Sequence, residues 1–157
     1  MNIENNAQKL VQLASSVAAG VRPEICQAFP QLQTASRFEQ WDFFAATLAV
    51  WTAYSRIGMD VEADLRPTVE SIVLGNVEAW NAKGVAAMED LTQFVVNMSQ
   101  GETDVERKQT LTPILGGTWV VWNLIEKQPQ ESEAGLVSAI GELFVIKFGA
   151  YWRVEMS

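Results

Sequence analysis

The chain has 157 residues, 48% of them hydrophobic, a single cysteine, no histidine and a formal net charge of −8. That apolar content suits one domain burying about two-thirds of its unfolded surface and excludes a disordered segment. Without histidine the usual proton shuttle near neutral pH and the usual metal ligand are gone, so triad hydrolases, imidazole zinc sites and two-histidine iron sites have nothing to be built from. No enzyme of those kinds, no cofactor and no metal is expected.

Residues 6–19 place Leu10, Leu13, Ala14 and Val17 at helical spacing, and Gly20 is the expected stop. The start, Met-Asn-Ile-Glu-Asn-Asn, lacks the basic and apolar stretches of a secretory signal, so a cytoplasmic location is expected. Pro23 can open a short second helix carrying Ile25, Phe29 and Leu32, which Pro30 would cut short. Cys26 within it has no partner for a disulfide and no histidine to activate it, which reads as a small core residue.

The stretch 36–57 reads as the central helix. Ser36 with Glu39 forms a capping-box pattern, Gly58 is a natural stop, and apolar residues cover most of the circumference between them. Asp60, Glu62 and Asp64 then precede a helix over 65–83 with Val69, Ile72, Val73, Val77 and Trp80 inward. Carboxylates at that point favour the positive end of the helix dipole. They do not make an EF-hand, because Leu65 and Ser71 stand where the loop needs glycine and a bidentate glutamate. Gly84 separates this helix from another over 85–99, with Met88, Leu91, Phe94, Val95 and Met98 inward, and Gly101 ends it. Thr103 with Glu106 suggests a second capping box, starting a helix that should bend or restart at Pro113 and run to about residue 126. The last helix is expected over 132–153, with Leu136, Ile140, Leu143, Phe144, Phe148 and Tyr151 inward.

The expected fold is all-α, a single-domain bundle of six to seven helices over 1–157. Uncharged apolar runs reach only 43–55 and 110–125, short of the ~20 residues of a membrane span, so none is expected. A gapless self-match at an offset of 71 residues aligns 43–80 with 114–151 and Trp51 with Trp122. Duplication would make two pseudo-repeated helical hairpins around the central helix; chance similarity of amphipathic helices is the alternative.

Glu39, Asp42, Glu70, Glu78 and Glu142 could form a di-metal site only if they converged, and the Glu-x-x-His pairs of such sites are impossible here. Six tryptophans are many for this length. Trp119 and Trp122 follow the Pro113 break and are candidates for an exposed pair; with Trp51 and Trp80 they could line an apolar pocket. Charge is distributed unevenly: 60–106 carries ten acidic residues against Arg66 and Lys83, while the remainder balances. One expected function is therefore a helical protein-binding module of inhibitor, immunity, adaptor or chaperone type. It would engage a basic protein partner through Asp60, Glu62, Asp64, Glu102, Asp104 and Glu106, whose charge repels nucleic acid. The other is a binder of a small apolar or aromatic ligand in the tryptophan-lined pocket. Neither excludes self-association into a homo-oligomer.

Overall fold

The computed structural model describes the backbone of residues 3–156 and the side chains of 3–153, and every regular element among them is helical. Helix α1 spans Ile3–Ala28 as one rod. Ala7, Leu10, Val11, Ala14, Ala18, Ile25 and Cys26 form its buried stripe. Gly20 does not stop it and Pro23 does not restart it, because both lie on the solvent side, where water can satisfy the carbonyl that proline leaves free.

The chain then passes through 3₁₀ turns at Pro30–Thr34 and Phe38–Gln40 into α2, Trp41–Ser55. Trp41 and everything from Phe44 to Ala53 are buried, so α2 is the central helix, covered by α1 and by the helices that follow. Its expected ends are both corrected. Ser36 is not its N-cap: the hydroxyl donates to the Leu124 carbonyl (3.3 Å) and to the Glu126 carboxylate (2.8 Å), and the Arg37 N–H also donates to Leu124 O (2.8 Å). The pair therefore satisfies orphan carbonyl capacity at the far end of another helix. Nor does Gly58 stop the chain, which continues into a short helix α3, Ile57–Asp60, held by buried Ile57 and an Arg56–Asp60 ion pair one turn apart.

Helices α4 (Arg66–Trp80) and α5 (Gly84–Met98) are joined by three residues and run antiparallel. Val69, Val73, Val77, Met88 and Leu91 are buried as expected, while Met98 is exposed instead of inward. Helix α6, Val105–Ile125, is capped by Asp104, which accepts from the Glu106 N–H at 2.9 Å; Thr103 is not the cap. It continues through Pro113 without a restart and ends on Glu126 in the left-handed conformation (φ 59°).

The C-terminal rod begins with the 3₁₀ turn Glu131–Glu133 and continues as α7 (Ala134–Gly141), a π-helical segment (Glu142–Lys147) and α8 (Phe148–Met156). Leu136, Ile140, Phe144, Phe148 and Trp152 are all buried. They recur every four residues, a period that drifts by about 40° per step around an α-helix. The wider π turn takes up that drift and keeps all five on one face. Tyr151 consequently points out, 51% exposed, and Trp152 takes the inward place that periodicity alone assigns to Tyr151. The span Glu131–Arg153 is long and apolar enough to cross a membrane by length and composition; uncharged runs alone do not reveal this. At the offset of 71, the end of α2 at Ser55 falls one residue past the end of α6 at Ile125, while the start of α4 at Arg66 falls three residues inside α7.

Helices α6 and α7 meet backbone to backbone. A Cβ on Gly117 would collide with the Val137 carbonyl, and one on Gly141 with the Pro113 carbonyl. Gly116 on the same helix faces the Leu48 side chain of α2, 2.7 Å from where its own Cβ would sit. Gly117→Ala and Gly141→Ala should each destabilise by about 1 to 3 kcal/mol in urea unfolding, through overpacking against unyielding backbone. Gly75→Ala, in α4 with open space around it, should instead stabilise by roughly 0.5 to 1 kcal/mol.

The rod's start is held by a capping box in which the Gln130 N–H donates to Glu133 Oε2 (2.8 Å). The Ser132 hydroxyl, and then the Gln130 amide, hold the Glu133 carboxyl below its ordinary value of 4.5. A folded-state pKa below the unfolded one contributes stability that is present above about 4.5 and lost as pH falls through the folded value. Glu133→Gln should therefore lower the urea midpoint at neutral pH, and the gap to wild type should close well below pH 4.5.

Candidate binding groove

Beyond the contacts Gly117–Val137 and Pro113–Gly141, one further turn along each helix brings Gln109 and Val145 to opposite sides of an open groove of about 470 Å³. Its floor is the last turns of α2, with Trp51, Thr52 and Ser55. One wall is the first half of α6, and the other is the rod, where Ile146, Gly149 and Ala150 follow one another along the face that the π segment sets. Gly149 keeps the floor accessible, since even a Cβ there would reach 3.4 Å from Thr52. Met59 (67% exposed) and Ile146 (48%) stand on the rim.

Arg56 and Arg153 also belong to the lining. Asp60 engages both: its Oδ2 lies 3.3 Å from Arg56 Nε and its Oδ1 3.9 Å from Arg153 Nε. The expected acidic surface is thus brought together in part. Because α4 and α5 are antiparallel and equally long, the turns holding Glu62 and Asp64 and those holding Glu102, Asp104 and Glu106 fall at one end of that hairpin. Glu62, Asp64, Asp104 and Glu106 are exposed, and Glu106 precedes Gln109 by one turn of α6. Asp60, by contrast, is largely enclosed with its two arginines, and Glu102 pairs with Arg107 at 3.6 Å.

The four tryptophans singled out above do not line one pocket. Trp51 forms the groove floor and donates to Thr92 Oγ1 (2.9 Å). Trp80 stacks on Phe43 (5.5 Å, 16°) beside a separate cleft against α1. Trp119 is buried and Trp122 half-buried, so they are not an exposed pair; both border a small cavity between α5 and α6. The regular backbone at 113–117 is the reason, since no helix break lifts them out. The rod wall of the groove carries no mark in residue order, because Val145, Ile146, Gly149 and Ala150 are small or aliphatic and lie some 90 positions from the floor.

Among the described residues no group of three or more carboxylate or thiol side chains could hold a metal ion. Tyr54 has its pKa raised, first by burial and then by the nearby Glu70 charge. No protein family, no curated protein and no solved structure matches this chain.

Trp51 is 7% exposed and ties α2 to α5 through its indole N–H. Trp51→Ala should cost about 3 to 5 kcal/mol in chemical unfolding. In native-state hydrogen exchange the amides of α2 should be among the slowest in the wild type, because a helix covered on most sides opens only with near-global unfolding.

Proposed function

We propose that this protein is a non-catalytic binding module whose groove takes the apolar face of a basic helical segment of a protein partner. What carries the proposal is the juxtaposition of an open apolar groove with acids that make no ion pair among the described residues: Met59 and Ile146 on the rim, with Glu62, Asp64, Asp104 and Glu106 around that end of the bundle. Apolar surface rimmed by polar groups marks docking sites, and an amphipathic helix laying its apolar face in a groove is a recurring recognition mode that this shape suits. Clustered charge of one sign accelerates encounter with the opposite sign. Arg56 and Arg153 share the single carboxylate of Asp60, and the four exposed acids outnumber the one positive charge that this leaves in the lining.

A second function, binding of a small apolar or aromatic ligand, is favoured by the groove's volume, which lies within the ~300 to 1,000 Å³ of ordinary ligand pockets, and by the Trp51 floor.

The test is fluorescence anisotropy with a labelled lysine-leucine amphipathic helix and its glutamate-leucine counterpart. The basic peptide should bind and the acidic one should not. Ile146→Asp should weaken the basic peptide by about tenfold or more, equivalent to ~1.4 kcal/mol. Reversing Glu62, Asp64 and Glu106 to lysine, or raising salt, should slow association, because exposed charges are screened beyond ~8 Å at physiological ionic strength. Affinity and rate that ignore both changes would overturn partner docking. Displacement of an apolar dye from the groove, without any peptide effect, would establish the small-ligand function in its place.

A further inference from the structure

A second site lies away from the groove, where α5 packs on α6. Asp90, Phe94, Trp119, Trp122 and Asn123 enclose an indentation of about 220 Å³. Trp122 and Phe94 meet at 83° with ring centroids 5.9 Å apart, giving two aromatic walls at right angles. Trp119, held edge-on against Phe44 (5.5 Å), donates its indole N–H to Asp90 Oδ2 at 2.9 Å. That bond orients the carboxylate and leaves Oδ1 without a hydrogen bond among the described residues, and Asp90 makes no ion pair among them either. Asn123 donates its amide hydrogen to the Trp119 carbonyl (2.8 Å), which leaves its own side-chain oxygen to accept.

Beside the N–H groups of Trp122 and Asn123, what the lining offers is electron-rich. There are aromatic rings, a carboxylate oxygen and an amide oxygen, and no cationic side chain belongs to it. Packing alone requires Phe94 to meet Trp122, but it does not require an exposed carboxylate anchored beside them. An ammonium group suits all of these at once, since aromatic rings attract a cation and the two oxygens accept its N–H hydrogens. The volume corresponds to roughly seven waters at ~30 Å³ each, room for a small alkylammonium head group.

We propose that the Asp90, Phe94, Trp119, Trp122 and Asn123 indentation is a binding site for a small alkylammonium ion, independent of the groove. The N–H hydrogens go to Asp90 Oδ1 and Asn123 Oδ1, and the alkyl carbons lie on Trp122 and Phe94.

The experiment is a titration of the intact chain with isobutylammonium chloride, with isobutanol as the uncharged counterpart of similar shape, at constant ionic strength and followed by the indole N–H signals in nitrogen-correlated NMR spectra. Isobutylammonium should shift the Trp119 and Trp122 signals saturably and leave that of Trp51 in place, while isobutanol should not saturate. Asp90→Asn keeps an oxygen for the Trp119 N–H and should weaken the ammonium ion by at least about fivefold, the equivalent of ~1 kcal/mol. Trp122→Phe, which retains an aromatic wall, should weaken it less than Trp122→Leu. Equal response to amine and alcohol, no saturation, or an unchanged affinity in Asp90→Asn would each overturn the proposal. Circular dichroism of each variant ensures that a lost signal reflects the site and not unfolding.

Discussion

The structure depends on how closely α6 and the C-terminal rod approach. At Gly117 and Gly141 each helix presents hydrogen where a side chain would stand, and each receives a carbonyl of its neighbour, from Val137 and Pro113. Two contacts one turn apart on both helices define a crossing, and no longer side chain can replicate it. Gly116, beside the first of them, accommodates Leu48 and so seats α2 underneath. The groove follows from the same crossing. Helices that touch at one point and cross at an angle must diverge beyond it, and the space they leave is floored by the end of α2.

The rod meets this demand through an uncommon device. Its five buried apolar positions lie four residues apart, so a plain α-helix would carry the later ones off the core. A π segment over Glu142–Lys147 restores them, bringing Phe148 and Trp152 under the same cover as Leu136. The same turn sets Val145 and Ile146 on the groove side. Local helical geometry and the shape of the candidate site are thus two results of one period in the chain. π turns recur at functional sites for this kind of reason, since they redirect a row of side chains without breaking the helix.

Charge is spent in two ways here. Asp60 is drawn inward to hold Arg56 and Arg153, and Glu102 is tied to Arg107, whereas Glu62, Asp64, Asp104 and Glu106 stay in solvent. Exposed pairs of this sort contribute only ~0 to 1 kcal/mol each, so the acidic end does little for folding and is free to set which molecules approach. Asp90 differs from both groups: it is anchored by an indole N–H beside aromatic rings, which gives a carboxylate a direction as well as a sign.

Helical content, the buried centre at 41–55 and the stripes of Val69, Val73, Val77, Met88 and Leu91 were legible from residue order, because amphipathic periodicity is a local property that burial rewards wherever the chain goes. Punctuation was not. Gly20 and Gly58 read as stops, Pro23 as a helix start and Pro113 as a bend or restart, yet all four lie within helices, since tertiary packing and solvent-facing carbonyls outweigh their local cost. Ser36 carries a cap pattern and serves a helix end 88 residues away, which only the folded chain brings near. The tryptophans were plain to see, but their grouping was decided by tertiary structure: indole N–H bonds send Trp51 to Thr92 and Trp119 to Asp90, on different faces of the bundle. Sequence alone determined that the chain is helical, which apolar stripes turn inward and where the charge lies. Which side chains share a cavity depended on a helix crossing set by two glycines, and a crossing is a relation between distant segments that no single stretch encodes.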